Sequence, residues 1–150
     1  MLHNPHILQN LVNMEIAGKV ISSAEAVLEN PIDAKYKALK SDIQPLTPSC
    51  SEWALINDCV QNSHGPTHTA YTLSIKHIFK INRKGEEDAF RSCPVKTNRR
   101  LLWHGSRTTN FAGIITEGLR IAPPEAPVTG YMFGKGVYFA DVCSKSANYW

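Results

Sequence analysis

The sequence predicts an α+β fold in which helices come early and strands are scattered along the chain. Apolar residues recur at helical spacing near the N-terminus, and apolar and polar residues alternate from Tyr71 onward. Regular alternation of strands with helices is missing, and so are internal repeats, which argues against a doubly wound sheet or a solenoid. The 150 residues, 43% hydrophobic and 19% charged, suit one soluble globular domain.

Composition also limits the possible settings of the chain. No apolar run approaches the roughly 20 residues that span a bilayer, and Met1–Pro5 does not begin a signal peptide, so we expect neither membrane association nor secretion. The net charge of +3 comes from scattered basic residues, which predicts a solvated surface and no direct DNA binding by this segment. The four cysteines form no CxxC pair and are expected to be free thiols.

The first half of the chain is predicted to be mainly helical. A helix is expected from Asn4 to about Leu28, with Asn4 as its cap and apolar residues along one stripe. The Asn30–Pro31 pair interrupts that pattern, since a residue before proline is pushed out of helical geometry. Further along we expect a helical turn at Ala34–Leu39, a short strand through Ile43 and a helix from Ser51 to Asn62.

The clearest predicted strand runs from Ala70 to Ile81, and a slip in its alternation suggests a bulge. The predicted elements that follow are a turn at residues 83–86, a short buried strand at Arg100–His104, a helix at Thr109–Glu117 ended by Gly118, and a last helix from near Ser144. A sheet built on these strands has few partners in the sequence. We therefore expect an unfinished domain with exposed edges and apolar surface, and poor solubility of the isolated chain.

Several nucleotide-binding motifs are absent from the sequence. Gly134-Lys135-Gly136 is followed by Val137, which lacks the hydroxyl that a phosphate-binding loop uses for magnesium. The three spaced glycines of the dinucleotide fold and a serine flanked by glycines are missing as well. A zinc site on Cys59, His64 and His68 is an alternative, but Gly65 and Pro66 break the helix that would align the histidines.

The stretch from Trp103 to Tyr149 combines residues suited to a flat heterocycle. Gly105 lacks a Cβ, so its backbone can approach a ligand closely, and His104 can donate or accept a hydrogen bond. Tyrosines and small polar side chains occur in the same stretch, namely Tyr131, Tyr138, Tyr149, Ser146 and Asn148. Taken alone, the histidine and each tyrosine are better explained by ordinary core packing, but together these residues support the hypothesis of a nucleotide pocket.

At these residues the sequence resembles the catalytic domain of nuclear, DNA-damage-responsive poly(ADP-ribose) polymerases. The matching motifs are LLWHGSR at residues 101–107, GLRIAPPEAPVTGYMFGKG at residues 118–136, and YFAD followed by SKSANY within residues 138–149. The resemblance implies an incomplete ADP-ribosyltransferase fold, with split antiparallel sheets and flanking helices. Residues 1–29 would be the last helix of a regulatory helical domain, and residues 30–150 the N-terminal part of the catalytic domain.

The resemblance also implies roles for particular residues. His104 would bond a ribose hydroxyl of NAD+, the Gly105 backbone and the Ser146 hydroxyl would bind the nicotinamide carboxamide, and Tyr149 would stack on the ring. Catalytic roles would fall to His104, Tyr138 and Lys145, with Tyr138 walling the opposite side of the ring and Lys145 near the reacting ribose. The remaining residues, Ser106, Gly113 and Arg120, would line the adenosine end.

The implied function is transfer of ADP-ribose from NAD+ to protein acceptors, including the parent protein, or to growing ADP-ribose chains, with release of nicotinamide. NAD+ would be a substrate and no metal would be needed, and a nuclear location is implied. In this family a glutamate supplies the catalytic carboxylate, and no acidic residue of this chain occupies a matching motif position. A non-catalytic NAD-binding fragment is therefore the alternative, and turnover by this chain is not expected.

Overall fold

The computed structural model describes residue 11, residues 14–19, 30–121 and 132–149. It shows a small α+β structure that divides into two compact units. The first unit comprises Met1–Ser41 and Arg107–Tyr138, and the second comprises Asp42–Ser106 and Phe139–Trp150. The predicted α+β class is confirmed. No helix among the described residues is long and apolar enough to cross a membrane.

In the first unit, the part of the predicted N-terminal helix that is described is helical. Residues 14–19 form helical turns in which Lys19 pairs with Glu15 at 2.7 Å, while most of the predicted range 4–28 lies outside the described residues. Helix α1, Pro31–Ala38, begins earlier than the predicted turn because Asn30 caps it. The Asn30 side chain accepts a hydrogen bond from the Ile32 amide at 3.0 Å, and Pro31 occupies the first turn.

A second helical segment of the first unit follows the Arg107 boundary. A 3₁₀ turn, Thr108–Asn110, leads into a helix that ends at Glu117, close to the predicted limits. Gly118 follows with φ of 82°, in the region that favours glycine. The Ser41 hydroxyl donates to the Ile115 carbonyl at 3.2 Å, which ties the end of the α1 segment to this helix.

The sheet has two antiparallel strands, β1 (Ser41–Leu46) and β2 (Ile78–Arg83), and it belongs to the second unit from Asp42 onward. Helix α2, Ser51–Asn62, lies between them in sequence and matches the prediction. The predicted strand Ala70–Ile81 is wrong in its first part, because residues 70–77 are in no strand. Tyr71, Leu73 and Ile75 are half-buried and alternate with exposed neighbours. The alternation in the sequence therefore reflects partial burial of one side of this segment, and it does not require hydrogen bonding to a neighbouring strand.

Helix α3, Glu86–Ser92, begins where only a turn was predicted. Gly85, with φ of 82°, reverses the chain after β2 and precedes three acidic residues in the first helical turn. Acidic residues are favoured there because the amide end of a helix carries partial positive charge. Arg91 pairs with Glu87 at 2.5 Å one turn later, and Arg83 pairs with Glu86 at 2.8 Å.

The predicted buried strand Arg100–His104 is wrong. Only Trp103 forms a bridge, to Ala140, and Leu101 and Leu102 are exposed. The helix of residues 111–117 in the first unit is α4, and the last helix, α5 (Cys143–Ala147), begins one residue before its predicted start. All four cysteines are free thiols.

The described residues bury little apolar surface. Ala34 in the first unit, and Val60 and Ala140 in the second, are the buried hydrophobic residues among them. Many large apolar side chains are exposed, including Met132 and Phe133 at 84% and 83%. Solvent-exposed apolar surface of this extent agrees with the prediction from sequence.

Candidate active site

A single antiparallel bridge in the second unit aligns the two segments that carry the predicted ligand-binding residues. The Trp103 amide donates to the Ala140 carbonyl at 2.7 Å, and the Ala140 amide donates to the Trp103 carbonyl at 2.9 Å. His104 and Gly105 follow Trp103 directly, and α5 begins three residues after Ala140. The bridge therefore places the segment that begins at Trp103 beside the segment that leads from Ala140 into α5.

Gly105 lies against the backbone of α5. A Cβ placed on Gly105 would overlap the carbonyl oxygen of Ser146, and it would lie 2.8 Å from the Ser146 carbonyl carbon and 3.3 Å from the Tyr149 Cβ. Any other residue would have to push the helix away. The sequence predicted glycine at position 105 because its backbone could approach a ligand closely. The structure adds a second reason for glycine, because the α5 backbone occupies the space that a side chain would need.

The contact brings together Gly105, Ser146 and Tyr149, three of the residues predicted to hold nicotinamide. Ser146 is buried at 8% exposure, and its carbonyl accepts from the Tyr149 amide at 3.2 Å. Tyr149 is 65% exposed, which leaves the residue accessible to a stacking ligand. The Gly105 backbone, the Ser146 carbonyl and the Tyr149 Cβ are therefore close together at the C-terminal end of α5.

His104 and Lys145 are both exposed in the same unit. The His104 ring packs against Phe139 with centroids 5.7 Å apart and planes inclined by 56°. That contact orients the imidazole from one side. Lys145 occupies the middle of α5, and its amide donates to the Val142 carbonyl at 3.2 Å. Ser106, also predicted to bind the cofactor, is half-buried next to Gly105.

The other predicted site residues, Gly113, Arg120 and Tyr138, belong to the first unit. Gly113 is buried inside α4, and Arg120 forms an ion pair with Glu117 just beyond that helix. The Tyr138 hydroxyl donates to the Gly134 carbonyl at 2.6 Å and accepts from the Phe133 amide at 3.1 Å. Tyr138 therefore closes the glycine-containing loop that precedes it.

Sequence reasoning missed a buried serine that anchors α5. Ser144 is fully buried, and its hydroxyl accepts from the Gly65 amide at 2.8 Å and bonds His68 Nδ1 at 2.7 Å. Its carbonyl accepts from the Tyr71 hydroxyl at 2.6 Å. No local pattern links residues so far apart, although two small serines flanking Lys145 on one short helix are consistent with close packing of α5.

The histidines considered as zinc ligands take part in this same network. His64 Nε2 bonds the His68 carbonyl at 2.8 Å, and His68 uses Nδ1 for Ser144. In the described part of the chain, no three side chains of His, Cys, Asp or Glu gather as a metal site would require. Cys143 precedes Ser144 in the chain, and burial raises the pKa of its thiol.

Comparison with known proteins identifies the family of this chain. Residues 50–150 match the family model of the poly(ADP-ribose) polymerase catalytic domain. The chain is 54% identical over 144 residues to poly [ADP-ribose] polymerase 1 of Xenopus laevis, and 52% identical over 143 residues to poly [ADP-ribose] polymerase 2-A of Oryza sativa subsp. japonica. Each match covers 95% of this chain, but only 14% and 22% of the respective relatives.

The chain belongs to the poly(ADP-ribose) polymerase family. The resemblance predicted from the motifs is thereby confirmed. The matched range includes Trp103, Gly105 and all of α5, so the contact described above lies within the poly(ADP-ribose) polymerase catalytic domain. The family is one of ADP-ribosyltransferases.

Proposed function

We propose that this chain is the NAD+-binding part of an ADP-ribosyltransferase catalytic domain. The parent activity would transfer ADP-ribose from NAD+ to protein acceptors, the parent protein included, or to growing ADP-ribose chains. The observation that carries this proposal is the contact of Gly105 with Ser146 and Tyr149. Family membership supplies the reaction class, and the contact supplies residues that suit the nicotinamide end of the substrate.

The chemistry of this cradle fits a planar carboxamide. A nicotinamide amide presents donors and an acceptor at one edge of a flat ring, so it pairs well with a peptide amide and carbonyl such as those of Gly105. The Ser146 hydroxyl would add a third hydrogen bond, and the exposed Tyr149 ring would stack on the heterocycle. His104 would bond a ribose hydroxyl, and Lys145 would lie near the reacting ribose.

The reaction breaks the bond between nicotinamide nitrogen and ribose C1′ and forms a bond from C1′ to an acceptor nucleophile, which loses a proton. Positive charge grows on the ribose during this exchange, so a fixed orientation and a nearby carboxylate both accelerate it. Held at its carboxamide and ring face, nicotinamide is oriented as a leaving group. The residues present thus serve binding and orientation.

The missing carboxylate separates two forms of the proposal. No acidic residue of the chain matches the position of the family's catalytic glutamate. We expect these 150 residues to bind NAD+ with little or no turnover, which corresponds to the alternative of a non-catalytic NAD-binding fragment. Roles for Ser106, Gly113, Arg120 and Tyr138, the assignment of residues 1–29 to a regulatory helix, and a nuclear location rest on the resemblance alone.

Calorimetric titration of the purified chain with NAD+ tests the binding proposal. His104→Ala should abolish measurable binding in a folded variant, whereas His77→Ala should not. His77 is exposed, contacts Phe79 and is not among the residues proposed to bind NAD+. Unchanged affinity in folded His104→Ala would refute the assignment of His104. Absence of binding by the unmodified chain would refute the proposal as a whole.

Turnover is measured on the same preparation as nicotinamide release and self-modification with labelled NAD+. A longer protein that includes the family's glutamate motif is the comparison. Activity only in the longer protein supports binding without turnover in this chain. Activity in the 150 residues themselves would mean that another carboxylate serves the reaction.

A further inference from the structure

The position of α5 depends on a segment distant in sequence. Ser144, in its first turn, has no exposed surface, and both its hydroxyl and its carbonyl are bonded by residues 65–71. The Cys143 amide donates to the carbonyl of Ser63, two residues before this segment, at 3.0 Å. Because α5 has only five residues, its internal hydrogen bonds cannot keep it folded or placed by themselves.

The segment that holds Ser144 contains a tight turn that ends at His68. The His68 amide donates to the Gly65 carbonyl at 2.9 Å, and the His68 carbonyl is bonded by the His64 ring at 2.8 Å. A Cβ on Gly65 would lie 2.9 Å from His68 Nδ1, so the imidazole fits directly over the glycine. The His68 ring therefore has a fixed place from which it reaches the Ser144 hydroxyl.

Ser144 and Ser146 are separated by one residue on the same short helix. A shift of Ser144 would move the Ser146 carbonyl, which already leaves no space for a side chain at Gly105. The backbone edge of Gly105 and the Ser146 hydroxyl would then lose their spacing. An error of a fraction of an ångström is enough to weaken paired hydrogen bonds to a rigid ligand.

We propose that His68 is a positioning residue for the nicotinamide subsite, acting through Ser144 to hold α5 against Gly105. This inference rests on the proposed function for its consequence on binding, but the placement of α5 can be tested without any ligand. His68 is not expected to touch NAD+. Its side chain is half-buried and is engaged by the Ser144 hydroxyl.

The sharpest test compares His68→Leu with His68→Asn. The two side chains have nearly the same shape, but only asparagine keeps a polar atom near the position of Nδ1. With nicotinamide and with NAD+ as calorimetric probes, we expect about tenfold weaker affinity for the leucine variant, the effect of one lost buried hydrogen bond. The asparagine variant should stay within about threefold of the unmodified chain. His77→Leu is the control for changing a histidine in this unit.

Amide hydrogen exchange, measured without ligand, gives the independent readout. The amides of Lys145, Asn148 and Tyr149 donate within or just after α5, and they should exchange faster in His68→Leu. They should return to the original rate in His68→Asn, while amides of α2 stay unchanged in both. General unfolding would instead speed exchange everywhere.

If His68→Leu does not fold, Tyr71→Phe provides the second variant, since it removes the hydroxyl bonded to the Ser144 carbonyl and keeps the ring against His64. The inference is supported if amide exchange becomes faster only in α5 in His68→Leu and returns to the original rate in His68→Asn. Where His68→Leu does not fold, faster exchange confined to α5 in Tyr71→Phe supports it. Unchanged α5 exchange in a folded His68→Leu chain overturns it, whether or not NAD+ binds. Failure of the unmodified chain to bind NAD+ would refute the proposed function, and the exchange result would still decide the role of His68.

Discussion

The Gly105 backbone and the Ser146 carbonyl are in such close contact that a single methyl group on Gly105 would overlap the carbonyl oxygen. The contact joins a segment fixed by the Trp103 bridge to the last helix of the chain. Packing rather than backbone strain enforces glycine here, since Gly105 is not among the positive-φ residues of the described chain. One contact thus serves both the stability of the second unit and the proposed binding of nicotinamide.

Gly105→Ala should therefore destabilise the chain and weaken NAD+ binding. Overpacking against backbone costs about 1–3 kcal/mol of unfolding free energy, because α5 has to move. Urea unfolding measures this cost. Gly18→Ala is the matched control, since Gly18 is helical with open space around it and should gain about 0.5–1 kcal/mol. Equal effects of the two substitutions would contradict the packing argument.

Tyr138→Phe should loosen the loop of residues 133–138 without removing the aromatic ring. The variant loses the hydrogen bonds to the Gly134 carbonyl and the Phe133 amide, at a cost of about 1 kcal/mol. Exchange of the Phe133 amide should accelerate. If the ring rather than the hydroxyl serves NAD+ binding, affinity should change less than about threefold in Tyr138→Phe and much more in Tyr138→Ala. Equal loss in both variants would assign the role to the hydroxyl.

Glu52→Gln should lower the pKa of Lys80. The Glu52 carboxylate, 2.7 Å from Lys80 Nζ, raises that pKa through a hydrogen bond and through its charge. A raised lysine pKa means that the stabilisation is complete at neutral pH and is lost as pH rises above about 10.4 and through the folded value. Carbon chemical shifts of the lysine side chain measure the titration. Glu87→Gln, which affects the Arg91 pair instead, should leave the Lys80 titration unchanged.

Cys143 should react slowly with iodoacetamide while the chain is folded. Burial raises the pKa of its thiol, so the reactive thiolate appears at higher pH than the usual value of about 8.5. The stabilisation linked to this shift is complete below the unfolded pKa and is lost as pH rises through the folded one. Mass spectrometry of the labelled peptide gives the rate. The same rate and pH midpoint in folded and urea-unfolded chains would rule out a burial effect.

Local patterns predicted the elements whose causes are local. The helix Ser51–Asn62 was predicted because its apolar residues share one face, and the end at Gly118 was predicted from the special conformation that glycine allows. The strand at residues 70–77 failed because alternation reports one-sided burial and cannot supply a pairing partner. Helix α3 was missed because the turn residues around Gly85 were given more weight than the acidic residues after it.

The sequence predicted the residues of the candidate site but not the hydrogen bonds that hold α5 in place. Gly105, Ser146 and Tyr149 were named from family motifs, and the structure brings them into contact. Ser144 was passed over although it is the most deeply buried residue of the second unit, because its partners lie more than 70 positions away in the chain. Long-range hydrogen bonds leave no periodic trace in a single sequence.

The bonds to Ser144 and Cys143 connect residues 73 to 80 positions apart, which has a consequence for folding kinetics. A five-residue helix is not a stable nucleus, so α5 has to wait until a loop of this length has closed. Contacts between residues so far apart in the sequence form slowly and late in folding. During synthesis, the proposed nicotinamide subsite would form only after nearly the whole of this stretch had left the ribosome.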